Sequence, residues 1–378
     1  MAGRFDPLTR TTVRGGATRV PAPTPAGPTG TGTGSVGTET GTGTAGTEAN
    51  TVTGTGSAEA KTGSRTDTGT GSRTGTRTRH YAPPGPLTLG LVLGPLRRGP
   101  HDPTFRVTPD GAVWRASQTP AGPGTLRVTA RAADGTVTGE AWGPGADWLL
   151  DRLPALLGAE DDPGAFVPRH RLVHASHRSR QGLRLTRTGL VLESLIPSVL
   201  EQKVTSDEAY RAWRILVRQH GTPAPGPAPD RMYAMPDART WCRIPSWDWH
   251  KAGVDSKRSG TILRAARVAP RLEEAVGMDL PEATARLELV PGIGPWTSAE
   301  TLQRSNGHPD AVTVGDLHLP GIIGFALAGD RTTDDAAMLE LLAPYEGQRH
   351  RATRLILLAG HTPPRRKPRM PRTDIGRL

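Results

Sequence analysis

The residues with the most chemical content lie between Leu287 and Gly321, in the segment LELVPGIGPWTSAETLQRSNGHPDAVTVGDLHLPG. There Gly292-Ile293-Gly294 separates two stretches of helical patterning. A Gly-x-Gly turn that enters a helix exposes backbone N–H groups with no partner inside that helix. Such groups bind phosphate without side-chain charge. Pro291-Gly292-Ile293-Gly294 also fits an ordinary helix–helix turn, because Gly commonly ends a helix. Asp316 follows the apolar stretch Ala311–Val314 and precedes Leu317-His318-Leu319-Pro320. An Asp at that point caps a helix well, and Pro320 falls in the first turn, where its missing N–H breaks no bond.

Several elements must position these residues. Asp279, Pro281 and Glu282 mark a helix start, and that helix runs to Leu289 before Val290-Pro291 ends it. The next helix spans Trp296–Ser305. Upstream, Leu190–His220 has apolar residues at helical spacing, with Pro197 marking a break or a helix start. A Pro-rich linker covers Thr222–Pro229. Further helices are expected at Trp247–Ala252, Lys257–Val268, Leu272–Val276, Leu317–Leu327, Asp335–Leu342 and Gln348–Ala359. Residues 81–165 differ in texture. Short β-type runs flank turns at Pro109-Asp110-Gly111 and Ala133-Asp134-Gly135, a strong hairpin signal, and a helix is expected at Trp148–Leu157. The fold class is therefore α+β: a mainly α-helical domain at 171–360, preceded by a small antiparallel β-rich domain at 81–170.

The 378 residues carry a net charge of +11, with Gly 47, Pro 36 and only 35% hydrophobics. That composition leaves part of the chain without a core. Residues 1–80 are a Thr/Gly-rich tract, expected to form a disordered tail. They hold nine bases and five acids, and the C-terminal tail 361–378 holds six bases and one acid. Residues 81–360 are left with 32 bases and 30 acids. The basicity thus sits mainly in the two ends, where it favours salt-sensitive attraction to polyanions. The single Cys242 excludes an internal disulfide, a multi-cysteine zinc site and an iron–sulfur cluster. No apolar run reaches the roughly 18–20 residues that span a bilayer, and Met1–Gly16 lacks an apolar signal core. No membrane partner is expected.

The ordered segment from hairpin to aspartate resembles the helix-hairpin-helix DNA glycosylase superfamily. Its signature is a Pro-Gly-(Ile/Val)-Gly hairpin, a helix and a loop ending in aspartate. Here Trp296 precedes Asp316 by the family's interval. Leu195–Thr205, ending Gln202-Lys203-Val204-Thr205, resembles the family's first helix. Lys257–Ile262 resembles its helix before the hairpin. The match covers roughly 183–360. Residues 85–165 resemble, more weakly, the extra N-terminal domain of the AlkA-type alkylpurine branch.

The resemblance implies roles for individual residues. Asp316 is the catalytic carboxylate, which stabilises positive charge growing on the sugar and positions water. Trp296 stacks on a cationic base, and Glu300 lines the base pocket where the branch can carry an aromatic residue. The amides of Gly292, Gly294 and Trp296 grip a phosphate, with Thr297 or Ser298 adding a side-chain contact and His318 a contact to phosphate or water. Gln202 and Lys203 occupy the DNA-wedging loop, whose usual wedge is apolar. The Val290 and Ile293 carbonyls offer a place for a monovalent cation; no other metal or cofactor is implied. Trp247 and Trp249 read as packing residues.

Bifunctional members carry a Lys two residues after the second hairpin glycine. Trp296 stands there, so Schiff-base lyase chemistry lacks its amine. The endonuclease III and adenine-mismatch branches usually carry a four-cysteine cluster, which one cysteine cannot ligate. What remains resembles a monofunctional DNA-3-methyladenine glycosylase II, acting as a monomer on damaged double-stranded DNA in the cytoplasm, at the nucleoid. Two other readings stand beside it: a non-catalytic helix-hairpin-helix DNA-binding protein, and a glycosylase for oxidised or deaminated bases.

Overall fold

The computed structural model describes residues 75–131 and 135–364, which belong to one compact unit. Most of the Thr/Gly tract, the tip of the Asp134 turn and the Arg-rich end from residue 365 lie outside the described residues.

Strands β1 (Arg77–Tyr81), β2 (Phe105–Val107), β3 (Val113–Thr119), β4 (Gly122–Ala130) and β5 (Val137–Trp142) form one antiparallel sheet in the order β1-β5-β4-β3-β2. Both expected hairpins form, with Val107 opposite Val113 and Ala130 opposite Val137. Strand β1 is a departure. The tail reads as running to residue 80, yet Arg77–Tyr81 pairs along β5 at the sheet edge. An edge strand needs only backbone pairing on one side, so its polar sequence carries no apolar signal.

Helices α1 (Leu89–Leu93), α2 (Ala146–Asp151) and α3 (Leu153–Leu156) close a core over one sheet face, built on Leu93, Leu126, Val128, Val137, Leu149 and Leu153. The helix expected over Trp148–Leu157 is thus two short ones, with Pro154 in the first turn of the second. On the opposite face Trp114 and Trp142 stack at 5.5 Å between centroids and pack with Met232 and Ala234. The segment read as a linker therefore covers the sheet, through the ribbon β6 (Thr222–Pro223) and β7 (Tyr233–Ala234).

The helices from α4 (Arg171–Arg178) onward build two cores. The first surrounds α5 (Val191–Leu200) with α6 (Ser206–His220), α7 (Ala238–Trp241), α8 (Ser246–Ala252), α9 (Ser256–Arg267), α10 (Ala269–Glu273), α11 (Leu280–Glu288) and α12 (Pro295–Ser305). Every α5 residue except Glu193 is buried, which is why the segment is apolar on all sides. Pro197 lies inside α5 rather than at a break; burial of its neighbours outweighs a cost of about 3 kcal/mol. The chain turns instead at 201–205, where Lys203 adopts a left-handed φ of 54°. The second core joins α4 to α13 (Leu319–Ala328), α14 (Asp335–Leu342) and α15 (Arg349–Ala359) through Val173, Ile323, Met338, Leu342 and Ile356. No helix among the described residues is long and apolar enough to cross a membrane.

Buried polar contacts lock the sheet region to the first helical core. Arg98 Nη1 donates to Glu201 Oε1 at 2.9 Å, Trp213 Nε1 donates to Asp102 Oδ1 at 3.0 Å, and Arg115 pairs with Glu193. Arg98 and Glu201 are both almost fully buried. Arg98→Ala leaves Glu201 as an uncompensated buried charge. It should lower unfolding free energy by about 3–5 kcal/mol, measured by denaturant titration. Arg98→Ala combined with Glu201→Leu should recover much of that loss.

Candidate active site

The turn between α11 and α12 is built from below. The Asp279 side chain caps α11, accepting the Glu282 N–H at 2.9 Å as expected. Past α11 the chain reaches Gly292, whose φ of +100° suits glycine. A Cβ there would lie 2.1 Å from Thr261 Oγ1 on α9. Gly294 differs: its backbone is extended and no atom lies within 4 Å of where a Cβ would be. Its openness, not its conformation, is its distinguishing property. The amides of Gly292, Gly294 and Trp296 have no hydrogen-bond partner among the described residues, while those of Thr297 and Ser298 turn back to Gly294 O.

Three side chains brace this turn. Gln202 Nε2 donates to Gly292 O at 3.0 Å and to Thr297 Oγ1 at 2.8 Å. Arg264 Nε donates to Pro291 O at 3.0 Å, and its Nη2 donates to Thr261 Oγ1 at the same distance. Ser298 Oγ donates to Glu288 Oε1 at 2.7 Å. Two expectations change. Gln202 ties its loop to the turn and does not project as a wedge. Thr297 is 2% exposed, so its hydroxyl sits under the turn rather than facing a phosphate. The supports Thr261 and Arg264 escape sequence reasoning, although Thr261 lies in the matched stretch Lys257–Ile262. Of the carbonyls offered to a cation, Val290's accepts the Ile293 amide at 3.0 Å, and Ile293's has no partner among the described residues.

Asp316 faces Trp296 across the junction of the two helical cores. Its Oδ1 accepts the His318 and Leu319 N–H groups at 2.8 and 2.9 Å, so it does cap the start of α13. Its Oδ2 accepts Trp296 Nε1–H at 3.1 Å. Capping and facing the site are therefore properties of the same carboxylate, one oxygen for each. Burial pushes its pKa up, but the hydrogen bonds from His318, Trp296 and Leu319 help hold it below 3.8. The group is an anion at neutral pH, and it is only 7% exposed.

The remaining expected residues divide. His318 and Lys203 are exposed, the latter at the tip of the α5–α6 loop that Gln202 anchors to the turn. Glu300 lies one helical turn beyond Trp296, but both its oxygens are engaged. Oε2 accepts from Arg304 Nη1 and Oε1 from Thr313 Oγ1, each at 2.8 Å. It braces α12 against the following loop and presents no spare oxygen to a pocket. Trp249 packs in the core as expected, whereas Trp247 is 62% exposed and packs little.

No family model matches the chain. It is 30% identical over 176 residues to a probable bifunctional transcriptional activator/DNA repair enzyme AlkA of Mycobacterium tuberculosis, a match spanning 44% of this chain and 34% of that protein. The matched region is thus about a third of the length of that curated relative. The 3-methyladenine DNA-glycosylase of Archaeoglobus fulgidus superposes with a TM-score of 0.60 at 16% identity, covering 74% of this chain and 97% of that one. The 8-oxoguanine glycosylase/lyase of Clostridium acetobutylicum superposes with a TM-score of 0.57 at 12% identity, over 72% and 91% of the two chains. The chain resembles the helix-hairpin-helix DNA glycosylases and shares their fold.

Two outcomes follow from this geometry. Gly292→Ala meets both a wrong φ and Thr261, so it should lower the melting temperature. Adding Thr261→Ala should restore only the steric part, and Gly294→Ala should leave stability unchanged. Asp316 has a folded pKa below its unfolded value. It therefore contributes stability that is complete above pH 3.8 and is lost as pH falls through the folded value. Denaturant titrations across acidic pH should show the wild type losing its advantage over Asp316→Asn in that window.

Proposed function

We propose that this chain is a monofunctional DNA glycosylase that hydrolyses the N-glycosidic bond of alkylated purines, of the 3-methyladenine and 7-methylguanine type, in duplex DNA. One observation carries the reading: a buried, ionised Asp316 holds the indole of Trp296 through Oδ2, beside the unpartnered amides of the hairpin. The AlkA relative is named a DNA repair enzyme and one structural neighbour a 3-methyladenine DNA-glycosylase, and both support this reading.

The chemistry suits these groups. A base inside a duplex is unreachable, so the nucleotide must leave the stack. The hairpin amides hold a nearby phosphate by hydrogen bonds alone. A purine methylated at N3 or N7 is cationic, and as the C1′–N bond breaks, its electron pair goes to the base, which departs neutral. Positive charge then grows on the sugar. A carboxylate about 4 Å away stabilises that charge by about 4 kcal/mol at an effective dielectric of 20. Water adds at C1′, and its proton passes to Asp316 or to solvent. Trp296 offers a π face to the cationic base, a gain of about 0.5–2 kcal/mol. Because its indole N–H is tied to Asp316, base recognition and charge stabilisation share one geometry. With Trp296 in place of a lysine, the sugar is not attacked by an amine, so borohydride should trap no covalent adduct.

The test is chromatography of bases freed from alkylated, oxidised and deaminated duplexes. Wild type should release 3-methyladenine. Asp316→Asn should be slower by a factor of about 10² or more while binding duplex as tightly. Release of an oxidised base alone would move the specificity, and duplex binding without release by the wild type would favour a non-catalytic role.

A further inference from the structure

The folded region is close to neutral, yet one of its surfaces is strongly cationic. On α6, Arg211, Arg214 and Arg218 recur at helical spacing, and none makes an ion pair or side-chain hydrogen bond among the described residues. Helix α8 runs antiparallel beside α6. At one end His220 Nε2 lies 3.2 Å from Asp248 Oδ2, and at the other a Cβ on Gly253 would lie 3.4 Å from Arg211 Nη1. Its outer residues Trp247, His250 and Lys251 are all exposed. Of the acids on these elements, Asp207 is exposed one turn before Arg211, and the others are engaged. Asp248 is buried against His220, Glu208 closes the capping box of α6, and Asp255 caps α9 and pairs with Arg258. Burial, then repulsion from Arg218 and Arg211, depresses the pKa of Arg214.

Buried contacts link this region to the hairpin. Arg258 donates to Leu200 O, at the base of the Lys203 loop, and to Gly253 O, at the end of α8. One turn further along α9, Thr261 sits under Gly292. We propose that the α6–α8 face is a second DNA contact, a phosphate track that holds the duplex flanking the hairpin site, with Trp247 lying against the sugar–phosphate edge. The inference rests on the reading of the chain as a DNA-acting protein. Seven residues of helix separate Arg211 from Arg218 by about 10 Å, which matches about three phosphates of one strand at about 3.4 Å of axial rise each. An indole beside clustered cations is a favourable surface for nucleic acid.

The test uses the full chain, so that both basic ends are common to every protein compared. Binding is followed by fluorescence anisotropy against salt. One duplex covers only the hairpin site, and a second is longer by about one helical turn. The triple variant Arg211→Gln, Arg214→Gln, Arg218→Gln should flatten the slope of log K against log salt by about 2–3 on the longer duplex and leave the short duplex unaffected. Trp247→Ala, at an exposed site, should weaken binding to the longer duplex without changing its slope. An unchanged slope in the triple variant, or the same loss on both duplexes, overturns the track while leaving glycosylase activity intact. Failure of the wild type to bind any duplex or release any base overturns this proposal together with the functional reading.

Discussion

The hydrogen bond from Trp296 Nε1 to Asp316 Oδ2 is the contact on which the site depends. Trp296 opens α12 in the first helical core, and Asp316 precedes α13 in the second. The bond therefore sets the distance between the hairpin and the carboxylate. It also keeps the carboxylate charged. A buried Asp tends to pick up a proton, because the low-dielectric interior penalises its anion. The indole and the His318 and Leu319 amides counter that tendency. The same donors that position Asp316 thus help maintain the protonation state that the proposed chemistry requires.

Charge elsewhere is arranged by placement rather than by excess. The region 81–360 has nearly equal numbers of bases and acids. Many acids are consumed in buried pairs: Glu201 with Arg98, Glu193 with Arg115, Glu300 with Arg304 and Asp161 with Arg351. Those pairs join the sheet to the helices and brace α12. Each pair withdraws one base with one acid, so the cations of α6 and α8 stand out by clustering and not by an excess. The hairpin needs no charge, since it offers backbone N–H groups held open by Gln202, Arg264 and Thr261. A nearly neutral fold can therefore present an anion-binding surface.

The regular elements were largely legible in the sequence, because their signals are local. Asp-Gly turns between β-type runs mark both hairpins of the sheet, apolar spacing marks α5 and α6, and Asp279, Pro281 and Glu282 mark the start of α11. The misses have a common cause. Pro197 sits inside α5 because tertiary burial overrides a local penalty. Strand β1 is polar because an edge strand is held by its neighbour's backbone. Glu300, Thr297 and Gln202 face inward rather than toward a ligand because partners distant in sequence claim their polar atoms.

By itself the sequence determined the chemistry available: a Gly-x-Gly turn with unsatisfied amides, an aspartate at a fixed interval beyond it, a Trp where a nucleophilic Lys would stand and too few cysteines for a cluster. These are matters of residue type and spacing along one chain. Tertiary structure alone decided which side chains face outward and what each one touches. It divided the oxygens of Asp316 between the start of α13 and Trp296, tied Gln202 to the turn and set α6 beside α8. Hydrogen-bond partners and charge neighbours are set by packing between segments far apart in sequence, and local spacing carries no record of them.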